Sequence, residues 1–378
     1  MKVRFFLLLI LISISVFTAG CSLLEGGIVG PTDTATVIAK TAQIRTGYAV
    51  VATDLLEVKR GDKLDILDQV ESPDVKNLIW YRVRAHDEVQ TEGWIEAQNV
   101  ITSGTLKKSK DLAEGFKDQP PQAAGMVRSA SNLRSAPDMS PENLLFKLPN
   151  GSNFEIMSWK FVPKQEAPDV DDAPKGQQKP GQKVQPKSDD DDDGPPRLDE
   201  KYDMWYLVRL DPSVSPAPAG WIFGRQVELQ VPTDISFFQQ NDRKFITWQR
   251  LDADTANKVG SGDKSMAPGS WVLLARDPYS KPLDGVEPDF DYILVLAFDK
   301  YDQNYYTVWR TTGHRQVFGR LPLKVEGKGD NKTFTMTLRN PQSGAMEEKR
   351  FTVFKDKTRM RVTPPEDIGQ YETDEDDE

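Results

Sequence analysis

The chain has 378 residues, 38% of them hydrophobic, and carries a formal net charge of −10. That length suits two or three domains, and the modest apolar share implies that part of the chain stays outside any core. The acidic balance excludes a nucleic-acid partner held through its phosphates.

Lys2 and Arg4 precede an unbroken apolar run from Phe5 to Ile12, which continues to small residues. A charged start, a short apolar centre and a small-residue end form the layout of a secretory leader, and the run is too short to span a bilayer comfortably. The leader closes on Thr18-Ala19-Gly20-Cys21, which resembles the bacterial lipobox, with Thr18 where that motif usually carries Leu. The resemblance implies that residues 1–20 are a signal peptide, that cleavage falls before Cys21, and that Cys21 is lipidated. Cys21 is the single Cys of the chain, so it cannot close an internal disulfide. Several acyl chains, at about 0.8 kcal/mol per buried methylene, would anchor the protein stably. The expected location is a bacterial cell membrane, lipid-anchored and facing the periplasm, and Ser22 after the Cys favours the outer membrane.

Residues 21–33 are rich in Gly, Pro and small polar side chains and suit a tether. A repeat follows. Residues 34–103 contain Gln43-Ile44-Arg45, Gly61-Asp62, Trp80-Tyr81-Arg82-Val83 and Gly93-Trp94-Ile95. Residues 123–231 offer the same order in Asn132-Leu133-Arg134, Asn150-Gly151, Trp205-Tyr206-Leu207-Val208 and Gly220-Trp221-Ile222. Arg45 lies 16 residues before Gly61 and Arg134 lies 17 before Gly151, while Trp80 precedes Trp94 by 14 and Trp205 precedes Trp221 by 16. Four signals in one order at near-equal spacing imply one supersecondary unit used twice.

Each signal reads naturally in a small antiparallel barrel of short alternating strands joined by Gly-containing turns. Both segments resemble bacterial Src homology 3 domains, whose pattern runs from Leu-Asn-Val-Arg through a Gly-Asp turn and Trp-x-x-Val to a closing Gly-Trp-Val or Gly-Trp-Ile. The opening motif is degenerate in both copies. The resemblance implies two small SH3-like β-barrels with a binding role.

Within the second copy, residues 163–200 form a Pro-, Gln- and Lys-rich insertion closing on the acidic run Asp189 to Asp193, which is expected to be a disordered loop. Residues 104–122 read as a linker, with a short helix at Asp111 to Phe116 as an option. Residues 232–364 hold the strand-like runs Trp271–Leu274, Tyr292–Leu296, Tyr305–Trp309, Gln316–Phe318, Phe334–Leu338 and Phe351–Phe354. They predict an unassigned antiparallel β-meander, either half of a sandwich or a small barrel. Residues 365–378 read as an acidic disordered tail. The expected fold class is all-β.

Little in the chain suggests catalysis. The two His, His86 and His314, fall in polar loops and read as solvated. Paired carboxylates for glycoside cleavage are matched by mere abundance of Asp and Glu. The Asp189 to Asp193 run lacks the Gly-turned spacing of a dedicated Ca²⁺ site and reads as a solvated charge run. No catalytic residue, metal or cofactor is expected.

The aromatic residues Trp80, Tyr81, Trp94, Trp205, Tyr206 and Trp221 are the candidates for ligand binding, since flat amphipathic rings stack on glycans and Pro-rich peptides. The competing role is filling the barrel cores, which the Trp residues suit by size. Tyr81 and Tyr206, one residue on, alternate to the opposite strand face and are the expected exposed members. The functional expectation is a non-enzymatic binding module for peptidoglycan or an envelope protein. A hydrolase or enzyme subunit with its active site in the C-terminal β domain, or a structural spacer, are the alternatives.

Overall fold

The computed structural model describes residues 33–49, 51–73, 75–164, 197–239, 243–252, 268–313 and 315–374. The leader, Cys21, the Asp189 to Asp193 run and His314 lie outside the described residues. The described chain is all-β, built from antiparallel sheets. Among the described residues no helix is long and apolar enough to cross a membrane.

The chain divides into two compact units, residues 1–103 and 104–378. The first contains β1 (Asp33–Val37), β2 (Thr41–Arg45), β3 (Asp54–Lys59), β4 (Lys63–Glu71), β5 (Ile79–Ala85), β6 (Glu92–Glu96) and β7 (Val100–Thr102). They form one sheet in the order β3-β2-β6-β5-β4-β1-β7. Strand alternation sends Ile44, Leu64, Ile66, Val83, Ala85 and Ile95 into one apolar core. The turn before β4 is made by Gly61 at φ 93°, a backbone region that side-chain-bearing residues rarely adopt.

The second unit opens with α1 (Ser103–Glu114), followed by β8 (Ala123–Val127), β9 (Ser131–Arg134), β10 (Leu144–Leu148), β11 (Asn153–Pro163), the single-turn α2 (Leu198–Lys201), β12 (Tyr202–Arg209), β13 (Ala219–Phe223) and β14 (Val227–Leu229). Their sheet runs β10-β9-β13-β12-β11-β8-β14, strand for strand the order of the first. The irregularities repeat too. The β4–β5 ladder shifts between Ile66 and Asp68, and the β11–β12 ladder shifts between Ile156 and Ser158. A bulge carried at the same point of both copies marks one design used twice.

The Gly-Trp-Ile signal has a steric cause. A Cβ on Gly93 would sit 2.5 Å from the Arg45 carbonyl oxygen and 2.6 Å from Ile44, and one on Gly220 would sit 2.4 Å from the Leu133 side chain. Glycine is what lets β6 and β13 close on β2 and β9.

The remaining strands are β15 (Lys244–Arg250), β16 (Trp271–Arg276), β17 (Tyr292–Asp299), β18 (Asn304–Arg310), β19 (Arg315–Val317), β20 (Gly319–Lys328), β21 (Asn331–Arg339), β22 (Met346–Asp356), β23 (Arg359–Thr363) and β24 (Glu372–Asp374). Strands β15 to β18 form one four-stranded meander and β20 to β23 another. Val272, Leu274, Ile293 and Val295 of the first pack with Val325, Phe334, Met336, Phe351 and Val353 of the second in one core, which makes the region a sandwich.

Three expectations are corrected. The stretch read as a linker begins with α1, whose Ser109 hydroxyl both donates to the Ala219 carbonyl at 2.5 Å and accepts from its N–H at 3.0 Å, and it ends in buried Pro120, Pro121 and Gln122. The insertion is narrower than 163–200, because Pro163 closes β11 and α2 covers 198–201; residues 165–196 are outside the described part. The tail is anchored through residue 374. Tyr371 is only 2% exposed, β24 pairs with β19, and Arg315 reaches Asp374 at 3.1 Å.

Replacing Gly93 or Gly220 by Ala should overpack the sheet closure and cost about 1–3 kcal/mol. Urea unfolding of G93A, whose added carbon meets backbone as well as side chain, should show a loss at least as large as that of G220A.

Candidate functional site

In the second module, β12 and β13 pair so that Trp205 stands opposite Phe223, with ring centroids 5.3 Å apart. Phe223 lies two residues beyond Trp221 and therefore on the same strand face. Beside these rings the loop between β9 and β10 brings up Pro137 and Met139, and β11 contributes Val162 and Pro163. Together they enclose a groove of about 520 Å³, a size that suits a small ligand or a short stretch of polymer. Charges of both signs line it: Lys164 and Arg225 with Asp138 and Asp203, and Arg225 sits 3.7 Å from Asp203.

The loop wall is braced from within. Asp138 accepts two hydrogen bonds from the Asn143 side-chain amide, both 2.9 Å, and one from the Ser140 N–H at 2.9 Å. Those bonds, the Asn143 amide first, hold the Asp138 carboxyl below its usual range. Arg134 donates to the Ser140 carbonyl at 2.9 Å. Met139 stands at the apex of this loop, 57% exposed.

The first module has no such aromatic floor. Trp80 pairs opposite Glu96, as Trp205 pairs opposite Phe223, so a carboxylate occupies the corresponding place. Its surface carries another aromatic pair, Tyr48 against Trp94 edge to face at 5.2 Å. Trp94 and Trp221 are both half-buried.

Tyr81 and Tyr206 are half-buried, more open than the buried Trp80 and Trp205 but short of fully exposed. The inward series of β5 is Tyr81, Val83 and Ala85, and Tyr81 packs on the module core. Burial first, and the Asp33 carboxylate second, raise its phenol above the ordinary value. Tyr206 shares the parity of buried Val208 and Leu210 and meets Trp159 edge to face at 6.4 Å. Burial pushes its phenol well up. Trp80 and Trp205 occupy the other strand face, yet they are 1% and 2% exposed, so neither is free to stack broadly.

Of the six aromatic candidates, only Trp205 lines the groove. Pro137, Met139, Phe223 and Arg225 were missed. Alternation from Trp221 marks Phe223 in sequence; nothing local marks the others. His86 is exposed and lies 3.0 Å from Asp65 in a surface loop.

A second group of charges is buried where the second module meets the sandwich. Arg276 pairs with Glu287 at 2.7 Å, donates to the Pro288 carbonyl, and lies 4.8 Å above the Phe161 ring. Asp291 accepts from the Asp277 N–H at 2.8 Å and from the Ser280 hydroxyl, and Arg320 reaches Asp289 at 3.4 Å. Burial raises both aspartates above the ordinary carboxylate range. Such shifts also mark active sites, but the cavity beside Asp291 and Ser280 has about 10 Å³, too little for a substrate. Among the described residues no group of three or more His, Cys, Asp or Glu is placed to hold a metal ion.

No protein-family model matches the chain, and no curated protein matches it. Solved structures that overlap it include NlpC2 from Trichomonas vaginalis, 9% identical over 90% of this chain and 98% of that one with a TM-score of 0.15. NlpC1 from the same organism is 10% identical over 90% and 93% with a TM-score of 0.14. Overlap at these scores carries no argument about fold or function.

The buried aspartates set a pH dependence. A carboxyl whose folded-state pKa is raised contributes most below its unfolded value of about 4, and that contribution is lost as pH rises through the folded value. Asp291→Asn should therefore gain stability relative to the native chain on going from about pH 3.5 to pH 7, as read by urea unfolding at both.

Proposed function

We propose that the protein is a membrane-anchored, extracytoplasmic lipoprotein acting as a non-enzymatic binding module for the cell wall, with Cys21 as the lipid-bearing residue and the second module as its ligand-binding part. The observation that carries the reading is the groove of about 520 Å³ floored by Trp205 and Phe223. A lining in which the Phe223 ring tilts by 53° over buried Trp205, with charges of both signs at its edge, suits an amphipathic glycan or peptide strand, which offers hydroxyl, amide and carboxylate groups along one chain. The braced loop carrying Asp138 means that little ordering cost falls on the protein when the ligand enters.

The two modules share strand order, bulge position and the Gly-Trp-Ile strand. These features support reading both as SH3-like barrels, with the first as a spacer or secondary contact. Peptidoglycan is the favoured ligand, and an envelope protein follows if it fails.

The test is co-sedimentation of residues 22–378 with purified peptidoglycan. Met139→Ala combined with Phe223→Ala should cut the bound fraction by about tenfold, the scale of one lost aromatic contact, with an unchanged unfolding temperature. Failure of the native chain to sediment excludes peptidoglycan, and equal sedimentation of the double variant excludes the groove.

A further inference from the structure

The outward face of the first module carries a row of aromatic and polar side chains that the second module lacks. Core residues Ile44, Val83 and Ile95 fix the parity, so Arg45 on β2, Trp94 on β6 and Arg82 on β5 stand side by side on the opposite face, with Arg45 and Arg82 each in register with Trp94. Tyr48, from the loop between β2 and β3, meets the Trp94 ring at 5.2 Å and 73°. Two rings at that angle form a corner, one as floor and the other as wall. Tyr48 is 41% exposed and Trp94 is half-buried, so the corner opens to solvent.

The corner is held in place. The Thr46 N–H donates to the Thr53 carbonyl at 2.9 Å and the Ala52 N–H to the Ala49 carbonyl at 3.0 Å, which closes the loop that carries Tyr48. Around the rings the charges are already joined. Arg45 holds Asp54 at 3.1 Å, and Glu92 takes Arg82 on one carboxylate oxygen at 3.0 Å and Arg84 on the other at 2.7 Å. Asp65 and Asp68 on β4, in register with Arg84 and Arg82, leave the face with no excess of positive charge. A charged ligand would have to displace a partner from one of these pairs, whereas a hydroxyl group can bond to a paired carboxylate or guanidinium in place.

The second module puts the same strand positions to another use. In register, Leu207 stands where the first module has Arg82, Ala219 where it has Glu92 and Leu144 where it has Asp54, while Pro137 follows Arg134 as Tyr48 follows Arg45. There Leu207 and Ala219 are 1% and 4% exposed, and α1 is bonded to Ala219 through Ser109. A face that is apolar and covered in one copy is aromatic, polar and open in the other.

We propose that this corner binds a neutral saccharide, one pyranose ring laying its C–H face on the Tyr48 and Trp94 pair while its hydroxyls bond to Asp54, Arg82 and Glu92. A ring with an apolar face and a polar rim matches aromatic rings bordered by paired charges. A Pro-rich peptide needs a series of ring-walled grooves, and a single corner supplies one. The site lies on a different module from the groove and depends neither on that groove nor on Cys21.

The test is isothermal titration of residues 22–378, which contain every described strand, with the linear tetramer of N-acetylglucosamine and, separately, with a Pro-rich peptide. The tetramer should bind at one site. Tyr48→Ala should weaken it about fivefold to tenfold, the scale of one lost aromatic contact, with an unchanged unfolding temperature. Tyr48→Phe, which keeps the ring, should weaken it less than about twofold, and Asp54→Ala should weaken it as well. Met139→Ala with Phe223→Ala, on the groove of the second module, should leave the tetramer bound as in the native chain, so failure of the groove and failure of the corner read out separately. The proposal is overturned if the tetramer gives no saturable heat, if folded Tyr48→Ala binds it as the native chain does, if the groove variant loses it, or if the peptide binds more tightly than the tetramer and depends on Tyr48.

Discussion

Gln122 is the residue on which the second unit turns. It is fully buried, its N–H donates to Ile156 of β11 at 2.7 Å, and its carbonyl accepts from the Trp248 N–H at 3.4 Å and the Thr247 hydroxyl. Its side-chain amide accepts from the Leu323 N–H at 2.8 Å and donates to the Leu323 and Pro120 carbonyls at 3.2 and 2.9 Å. One residue therefore ties the second module to both sheets of the sandwich. The two prolines before it have no N–H to satisfy, so their carbonyls alone need partners, and Gln122 and Gln249 supply them. Every polar group of a buried segment must be answered in this way, or each unanswered one costs about 1–3 kcal/mol.

That junction gives the groove a rigid setting. Trp205 stands on β12, whose neighbour β11 is bonded to Gln122, Phe223 stands on β13 at the other side of β12, and Asp138 fixes the facing loop. The two modules have kept one topology while their surfaces diverged, with Glu96 in one and Phe223 in the other at matching ladder positions. Binding chemistry then resides in substitutions on a repeated scaffold. The first module keeps the Tyr48 and Trp94 corner on a face that α1 closes in the second.

Much of this architecture was legible in the chain. The repeat, the turns at Gly61 and Gly151, both at positive φ, and six strand runs of the sandwich follow from periodicity and punctuation. Parity was the harder part to read. Trp80 is buried, as its size suggests, yet Val83 and Ala85 set the other face inward and bring half-buried Tyr81 against the module core as well. The linker and tail failed because polar, Pro-rich or acidic segments read as solvated until their partners are known. Ser109, Gln122 and Tyr371 are held by residues far away in sequence, which no local pattern records. Of the groove, Trp205 and, through alternation from Trp221, Phe223 are marked in the sequence, whereas Pro137 and Met139 arrive from a loop that no local pattern ties to them.

The most direct test of the account is native-state hydrogen exchange on the native chain and on Gln122→Leu. If Gln122 joins module and sandwich, slowly exchanging amides of β11, β15 and β20 should share one opening free energy, and the substitution should lower all three together. Loss of protection in β20 alone, with β11 unchanged, would contradict a single cooperative unit built on Gln122.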